Sequence, residues 1–253
     1  MVFNEKREII IKAAKPRNYK LSLNQLMLVD YLVKQNWLQT PRIIRAFQEI
    51  KREDFMPEEF KDYAELNQAF PIGWGQSISQ PLIVAFILER LQPQNGDKIL
   101  EIGTGSGWVT ALSAQIISKK NETAGAEQAK GLIVSLEAIS EIKETARENL
   151  AKYGFIEKKL VELCVADGFK GYPKISERSD LSGGFDKIFS TSSVKELPKE
   201  WKEQLKIGGT IVSPIGNSIW QFFKAREDKF EEKEYPNFSF SPIFTQQQQL
   251  ITV

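Results

Sequence analysis

The sequence predicts an α/β fold in which a doubly wound, mostly parallel sheet follows a helical N-terminal appendage. Two observations support this prediction. From Asp97 onward, short apolar runs alternate with segments of helical periodicity, as in parallel strands joined by crossover helices. The first run ends in Leu100–Gly107, LEIGTGSG, a glycine-rich turn that would open the following helix. We therefore expect an N-terminal helical segment with a substrate and cofactor loop over residues 1–94. The sheet domain would occupy residues 95–253, packed with that segment as one compact unit.

Helices dominate the N-terminal part. Apolar residues at helical spacing predict a first helix over Leu21–Trp37. A second helix begins where Thr40 can serve as N-cap and Pro41 takes the first helical position. The segment Ala69–Pro81, AFPIGWGQSISQP, combines glycine, proline and small hydroxyl residues, which predicts a loop. A third helix is expected over Leu82–Leu91.

The remainder of the chain alternates between strands and helices. The predicted strands are Lys98–Ile102, Gly131–Leu136, Leu160–Val165, Phe185–Phe189 and Thr210–Ser213. The predicted helices are Trp108–Ile117, Ile139–Tyr153, which ends before Gly154, and Leu197–Leu205. Aromatic content in Ile219–Phe223 and Phe238–Phe244 predicts an antiparallel pair that closes the sheet edge. The polar segments Ser118–Lys130 and Lys174–Gly184 are expected to be exposed, mobile loops.

The composition excludes several classes of chemistry. The 253 residues contain no histidine, which removes Ser-His and Cys-His catalytic pairs and zinc sites with imidazole ligands. We expect no metal. A net charge of +1 gives no global attraction to nucleic acid or an acidic membrane. The single cysteine, Cys164, cannot form an internal disulfide, which indicates the cytoplasm. The absence of heptads and of long apolar segments favours a monomer.

Acidic residues follow the glycine-rich turn at the ends of the next two strands. Glu137 ends the second strand, where a carboxylate can accept hydrogen bonds from both hydroxyls of a ribose. Asp167, with Gly168, follows the third strand, within reach of an adenine amino group. Either acid alone could equally be a solvated strand end or a helix N-cap. Together with the turn they favour an adenosine-containing cofactor, and the GxGxG spacing differs from the GxGxxG that usually serves a dinucleotide.

The segments PIGWGQSISQP and DKILEIGTGSGWVTALSA together resemble the protein-L-isoaspartate O-methyltransferase family. The similarity extends upstream to IKREDFMP and downstream through ADGF, IFSTSS and LKIGGTIVSPIG, over about residues 25–216. The resemblance implies a Rossmann-like methyltransferase sheet and S-adenosylmethionine as the cofactor, with S-adenosylhomocysteine as its product. It implies an isoaspartyl carboxylate of damaged proteins as the methyl acceptor, with little dependence on the surrounding peptide sequence.

The resemblance also implies roles for individual residues. Ser79 matches the active-site serine that contacts the isoaspartyl carboxylate. The implied cofactor-binding residues are Gln76, Ser77, Ile78, Glu101, Gly103, Thr104, Gly105, Ser106, Gly107, Glu137, Asp167 and Gly168. The implied substrate-binding residues are Ile72, Gly73, Ser79, Ser190, Thr191 and Thr245. From the sequence alone, Ser79 could instead be the N-cap of the helix that follows Pro81.

The implied reaction needs no histidine. A carboxylate with a pKa near 4 is already ionised at about pH 7, so it can attack a methyl group without a general base. The enzyme has to align the reacting atoms, and hydroxyl donors such as Ser79 and Thr191 can do this without the strong bidentate grip of an arginine.

The chain departs from the family pattern at two places near the acceptor. Trp74 replaces a small, polar or histidine residue, either as a loop anchor or as a substrate contact, and 190–193 is rich in serine. These departures leave three alternatives open: a related methyltransferase with another peptide or small-molecule acceptor, a non-catalytic binding module, and an NAD-dependent dehydrogenase. The spacing of the glycines and the SISQP loop disfavour the last.

Overall fold

A computed structural model describes residues 28–118 and 131–240 of the chain. Its helices are α1 (Leu28–Lys34), α2 (Pro41–Glu49), α3 (Pro81–Leu91), α4 (Trp108–Ser118), α5 (Ser140–Ala151) and α6 (Lys199–Gln204). Its strands are β1 (Phe70–Gly73), β2 (Gln76–Ile78), β3 (Lys98–Ile102), β4 (Leu132–Glu137), β5 (Val161–Val165), β6 (Phe185–Ser190), β7 (Leu205–Ile215), β8 (Ser218–Arg226) and β9 (Lys229–Tyr235).

Seven strands form one sheet in the order β5-β4-β3-β6-β7-β8-β9. The strands from β5 to β7 are parallel, and β8 and β9 continue the sheet in antiparallel pairing. The chain runs outward from β3 to β4 and β5, then returns to place β6 on the other side of β3. The carboxyl end of β3 is therefore the point where the strand order reverses, which is where ligands bind in open α/β sheets. The predicted doubly wound α/β class is confirmed.

Helices cover both faces of the sheet, so its central strands are buried along almost their whole length. Every residue of β4 is buried, for example. The hydrophobic cluster on one face includes side chains of α1, α2, α3 and α4 as well as Ile99 and Ile133 of the sheet. The other face packs around Tyr172, Phe185 and Trp201. The N-terminal helices therefore share a core with the sheet.

The N-terminal predictions are confirmed in outline and changed in detail. Of the expected helix over residues 21–37, only the part from Leu28 lies within the described residues. Thr40 does occupy the N-cap position of α2, followed by Pro41, but its hydroxyl donates to Glu89 Oε2 at 2.6 Å instead of capping the helix. The expected loop over 69–81 is in fact a small antiparallel hairpin of β1 and β2, because the two glycines provide its tight turn.

The antiparallel pair at the sheet edge was predicted with the wrong second strand. The pair is β8 with β9, and β9 has the charged sequence KFEEKEY, in keeping with an exposed edge strand. The described part of the expected strand Phe238–Phe244 is not a strand. Phe238 instead contacts the ring of Phe86 on α3, with 5.1 Å between centroids, so its aromatic character reflects packing on a helix. Residues 241–244 lie outside the described residues.

The two polar segments have different outcomes. Residues 119–130 lie outside the described part of the chain. The segment Lys174–Gly184 is exposed at most of its positions, as expected, but it forms two short 3-10 turns and buries Leu181. Arg178 anchors it, because its Nη1 lies 2.5 Å from Glu162 Oε2 on β5.

None of the helices in the described ranges has the length and apolarity required to cross a bilayer.

Candidate active site

An open cavity lies at the carboxyl ends of the parallel strands, bounded on one side by the β1–β2 hairpin. It brings together most of the residues predicted to form the site, although these come from distant parts of the sequence. The predicted residues that line it are Gln76, Ser77, Ile78, Ser79, Gly103, Thr104, Gly105, Ser106, Glu137, Gly168 and Thr191. The cavity therefore has two sides, which we call the cofactor side (103–108, 136–138 and 166–168) and the acceptor side (75–80 and 191–192).

The glycine-rich turn after β3 presents bare backbone to the cavity. Gly103 and Gly105 have φ angles of +87° and +55°, which side chains adopt rarely. A Cβ built on Gly103 would meet nothing within 4 Å, so a side chain there would project into open space. Gly107 has another reason to be glycine, because its Cβ would lie 3.3 Å from side-chain atoms of Ala146 and Leu150 on α5. The absence of a side chain at Gly107 lets the start of α4 lie close to α5, and Gly107 does not line the cavity.

Glu137 links the end of β4 to the glycine-rich turn. Its Oε2 accepts a hydrogen bond from the Gly105 backbone N–H at 3.0 Å, and its Oε1 accepts from Ile139 N–H at 3.1 Å. The residue is only 7% exposed. Burial raises the pKa of Glu137, and these backbone donors oppose the rise. The carboxylate is thus held rigidly at the cavity wall.

Glu101 lies behind the cavity lining. Its Oε2 accepts from Thr110 Oγ1 at 2.5 Å and from Ser135 Oγ at 2.7 Å. Because Ser135 uses its only hydrogen there, its oxygen accepts from Thr104 Oγ1, 2.7 Å away, and Thr104 lines the cavity. Burial raises the pKa of Glu101 to about 8, against these hydroxyl donors and with a contribution from Glu137. Glu101 is therefore connected to the cofactor side through two hydroxyls.

The hairpin tip has a strained backbone. Gly73, Trp74 and Gly75 have φ angles of +96°, +54° and +69° in succession, and a tryptophan rarely adopts such a value. Trp74 is 59% exposed, so it is not a buried loop anchor. The side chain of Ile72 lies close to the glycine-rich turn, because a Cβ atom built on Gly105 would be 3.9 Å from Ile72 Cδ1. Ile72 and Gly73 do not themselves line the cavity.

Ser79 follows β2 and lines the acceptor side. It is not the N-cap of α3, because Gln80 holds that position without a side-chain bond. Asn67 Oδ1 accepts from the Leu82 N–H at 2.9 Å instead. Within the described residues, no group is hydrogen-bonded to the Ser79 hydroxyl, whereas its backbone carbonyl accepts from Arg52 Nη2 at 3.2 Å. The hydroxyl can therefore donate to a ligand.

The ends of β5 and β6 complete the site. Gly168 packs so closely on β3 that a Cβ would lie 2.4 Å from Ile102 Cγ2. Asp167 points its carboxylate at the Phe169 N–H, 3.1 Å away, as the cap of a short turn, and does not line the cavity. Ser190 is fully buried, and its hydroxyl donates to the Ser192 carbonyl at 2.9 Å. Of this serine-rich end, Thr191 and Ser192 face the cavity. The predicted Thr245 lies outside the described residues.

Sequence reasoning missed several lining residues. Trp108, Ala138, Ala166 and Phe240 all line the cavity. Ala138 and Ala166 immediately follow strand ends, so their positions at the carboxyl edge could have indicated them. Trp108 is 2% exposed, and its indole N–H has no hydrogen-bond partner among the described residues. This N–H is itself buried, so a ligand in the open cavity would not reach it.

This fold, with a glycine-rich turn and a buried glutamate at the switch point, defines the class as a Rossmann-like, doubly wound α/β protein with its ligand site at the strand ends. A crystal structure from Plasmodium falciparum, assigned to the protein-L-isoaspartate O-methyltransferases and solved with S-adenosyl-L-homocysteine, has the same fold. It aligns with a TM-score of 0.72 over 86% of this chain and 96% of its own, at 18% identity.

The particular family follows from sequence comparison. The family model for protein-L-isoaspartate(D-aspartate) O-methyltransferase matches residues 23–248. A protein-L-isoaspartate O-methyltransferase of Staphylothermus marinus is 36% identical over 194 residues, or 77% of this chain and 80% of the relative. One of Flavobacterium psychrophilum is 36% identical over 223 residues, or 87% and 92%. The chain belongs to the protein-L-isoaspartate(D-aspartate) O-methyltransferase family, and the resemblance found in the sequence is confirmed.

Proposed function

We propose that this chain transfers the methyl group of S-adenosylmethionine to the carboxylate of an isoaspartyl residue in damaged proteins. In a chain of this family, one observation carries the proposal. Ser79, whose hydroxyl is free to donate, lines the same cavity as the glycine-rich turn and Glu137. The methyl ester formed in this way would collapse to a succinimide without further enzymic help, which begins repair of the damaged site.

The cofactor side fits an adenosine-containing ligand. A Cβ on Gly103 would meet nothing within 4 Å and one on Gly105 would meet only Ile72 Cδ1 at 3.9 Å, so the turn leaves open space for a ligand. We assign the methionine part to residues 103–107, the ribose to Glu137, and the adenine to the region of Asp167 and Gly168. Gln76, Ser77 and Ile78 would contact the bound cofactor from the acceptor side of the cavity. The bound cofactor supplies a methyl group on a positively charged sulfur.

Glu101 would act from behind this side. Its carboxyl group holds Ser135 and, through it, Thr104, so it fixes the shape of the glycine-rich turn. We therefore propose that Glu101 supports the cofactor site through these hydroxyls.

The acceptor side would hold the isoaspartyl carboxylate for an in-line attack. The hydroxyls of Ser79 and Thr191 can each donate one hydrogen bond to it, which orients the attacking oxygen and leaves its lone pairs reactive. No residue has to remove a proton, because the carboxylate is ionised at about pH 7. We propose Ile72, Gly73, Ser190 and Thr245 as further contributors to the acceptor site, Ile72 through its packing on the turn.

A second candidate function is methyl transfer to a different acceptor, and Trp74 is the observation that favours it. Trp74 is exposed at the hairpin tip, next to cavity-lining Gly75, although it does not itself line the cavity. Its accessible ring could contact a modified peptide that carries an aspartyl residue, or a small molecule with a ring. A third possibility is a protein that binds the cofactor without catalysing methyl transfer, which would need only the cofactor side.

The assay that separates these candidates is methylation of an isoaspartyl peptide with methyl-labelled cofactor, followed by measurement of volatile methanol released from the ester. We expect methanol from the isoaspartyl peptide and none from the matched aspartyl peptide. Equal signals from both peptides, or label retained in another acceptor, would favour the second candidate. Binding of S-adenosylhomocysteine without any methyl transfer would favour the binding module.

We further propose that the protein acts as a cytoplasmic monomer and binds neither nucleic acid nor membranes. The near-zero net charge and the single cysteine support this proposal. We retain the division into residues 1–94 and 95–253 as two parts of one compact unit, supported by the core that α1 to α4 share with the sheet.

A further inference from the structure

Arg52 is a buried arginine whose hydrogen bonds are all to backbone carbonyls. It is 5% exposed and lies in the sequence REDF, upstream of the hairpin. Its Nη1 donates to the carbonyls of Ala64 and Leu66 at 3.1 and 3.2 Å. Its Nη2 donates to those of Gln68 and Ser79 at 2.7 and 3.2 Å. The guanidinium of Arg52 therefore links the segment before the β1–β2 hairpin to Ser79, the residue directly after it.

Aromatic rings hold the same guanidinium in place. Its Cζ lies 5.7 Å from the ring centroid of Phe70, the first residue of β1, and 5.2 Å from that of Trp108. Both distances are within the range of cation–π attraction. Trp108 begins α4 directly after the glycine-rich turn and lines the cofactor side. Arg52 thus contacts the cofactor side through a ring and the acceptor side through a carbonyl.

We propose that Arg52 is a positioning residue that sets the place of Ser79 relative to the glycine-rich turn. This inference rests on the proposed role of Ser79 in orienting the methyl acceptor. A shift of Ser79 would misalign the acceptor oxygen with the methyl group, to which group-transfer rates are very sensitive. Arg52 itself does not line the cavity.

The chemistry of the site explains why the residue is an arginine. The acceptors lie in two pairs, one for each terminal nitrogen, and a planar guanidinium can serve both pairs while its face rests on a ring. A lysine would supply three donors from one point and no planar face. Burial lowers the pKa of Arg52, and the carboxylate of Glu65 opposes this shift. At about pH 7 the guanidinium is still positively charged, and the backbone carbonyls that accept its hydrogen bonds stabilise this charge.

Arg90 provides a matched control in the same chain. It also carries a buried Nε without a hydrogen-bond partner among the described residues, as Arg52 does. Its Cζ lies 5.0 Å from the ring centroids of both Phe86 and Tyr235. Arg90 stands in the last turn of α3 and does not line the active-site cavity. Replacing it changes a stacked arginine without touching Ser79.

The test compares Arg52→Lys with Arg90→Lys in the full-length protein. Both variants should unfold at lower temperature than the wild type, because each loses stacking. Only Arg52→Lys should lower kcat for an isoaspartyl peptide, by about 10- to 100-fold, as expected for a small misplacement of reacting groups. Its KM for the peptide and its Kd for S-adenosylhomocysteine should stay within about threefold of wild type. Equal kcat in the two variants, or a loss of cofactor affinity that accounts for the fall in kcat, would overturn the proposal.

A double-mutant cycle separates this proposal from the role of Ser79. In a Ser79→Ala background, Arg52→Lys should have little further effect on kcat, because no hydroxyl remains to be positioned. Additive losses would show that Arg52 acts through something other than Ser79. If Ser79→Ala alone leaves kcat unchanged, the proposed role of Ser79 fails, independently of what Arg52→Lys does.

A second variant keeps the test decisive should Arg52→Lys not fold. Phe70→Leu removes one ring from beside the guanidinium and leaves every carbonyl acceptor in place. We expect it to lower kcat by about threefold to tenfold with an unchanged Kd for S-adenosylhomocysteine. An unchanged kcat in folded Phe70→Leu would overturn the positioning role.

Discussion

The two sides of the cavity differ in how firmly their polar groups are held. On the cofactor side, Glu137 is buried and already bonded to backbone N–H groups, and Thr104 is tied to Ser135. On the acceptor side, the hairpin tip has three successive positive φ angles, and Ser79 has a hydroxyl with no partner within the described residues. We therefore propose that the cofactor side provides affinity, whereas the acceptor side retains donors for the substrate and uses the exposed Trp74 for specificity.

The different origins of the two sides explain this contrast. The cofactor side lies at the ends of buried parallel strands, where pairing with neighbouring strands fixes the backbone as far as Ile102 and Glu137. The acceptor side is a two-stranded hairpin, and such a hairpin has little stability of its own. It depends on packing and on Arg52, so we expect substitutions on the two sides to affect different measurements.

The largest effect should follow from Glu137→Ala. We propose that this carboxylate accepts hydrogen bonds from both ribose hydroxyls, each worth about 1.5–3 kcal/mol for a charged acceptor, so its loss should weaken S-adenosylhomocysteine binding at least about 100-fold. Calorimetric titration measures this change. Glu141→Ala, an exposed acid in the first turn of α5, is the control and should bind like wild type. If Glu137→Ala binds S-adenosylhomocysteine as tightly as the wild type, Glu137 is not a cofactor-binding residue.

Ser79→Ala should separate the two sides most cleanly. We expect kcat for an isoaspartyl peptide to fall about 10- to 100-fold, because one orienting donor is lost. The Kd for S-adenosylhomocysteine should stay within about threefold, and Ser79→Thr, which keeps the hydroxyl, should recover part of the rate. Ser182→Ala, in an exposed segment, is the control. A parallel loss of cofactor affinity in Ser79→Ala would mean that the residue is structural and that the two sides are not independent.

We expect Glu101→Gln, behind the cofactor side, to change how the stability of the protein depends on pH. The pKa of Glu101 is raised from 4.5 to about 8, so the folded protein keeps a proton that the unfolded chain releases across this range. This contribution is fully present below about pH 4.5 and is lost as the pH rises towards 8, at about 1.4 kcal/mol per pH unit. The variant should lack this slope in the free energy of unfolding.

Urea denaturation curves recorded at closely spaced pH values, between about pH 5 and pH 8.5, would measure this slope. The measurement has to resolve the release of a single proton. Glu148→Gln, on an exposed part of α5, should retain the wild-type profile. Identical profiles for wild type and Glu101→Gln would show that Glu101 is ionised in the folded protein.

The smallest effect is expected from Trp74→Gly at the hairpin tip. Glycine accepts the positive φ without strain, so stability should not fall. KM should rise about threefold to tenfold for isoaspartyl peptides with aromatic neighbours, and less for peptides with small neighbours, because a stacking face is lost. Ile207→Ala, another exposed apolar residue far along the chain, is the control. A uniform change in kcat for all peptides would place Trp74 in the chemistry and not in specificity.

The accuracy of the sequence predictions also differs between the two sides. The turn after β3, Glu137 and Gly168 could be predicted because strand ends in a parallel sheet meet at one edge, whatever the loops between them do. The hairpin was predicted as a loop, and Ser79 as a possible N-cap, because local residue preferences cannot show that Asn67 caps α3 from a distance. The strand expected at 238–244 failed for a related reason. Phe238 is aromatic because it packs on α3, and periodicity does not distinguish that from a strand.

The sequence by itself determined the fold class, the family and 11 of the 24 residues that line the cavity. Strand periodicity and a glycine-rich turn are local signals, and the absence of histidine is compatible with a nucleophile that arrives ionised. Only the tertiary structure decided that Arg52 joins Ser79 to Trp108, that Glu101 lies behind the lining, and that Trp74 is exposed. These features depend on hydrogen bonds, burial and ring contacts between distant residues, which arise when the chain packs and have no periodic trace in the sequence.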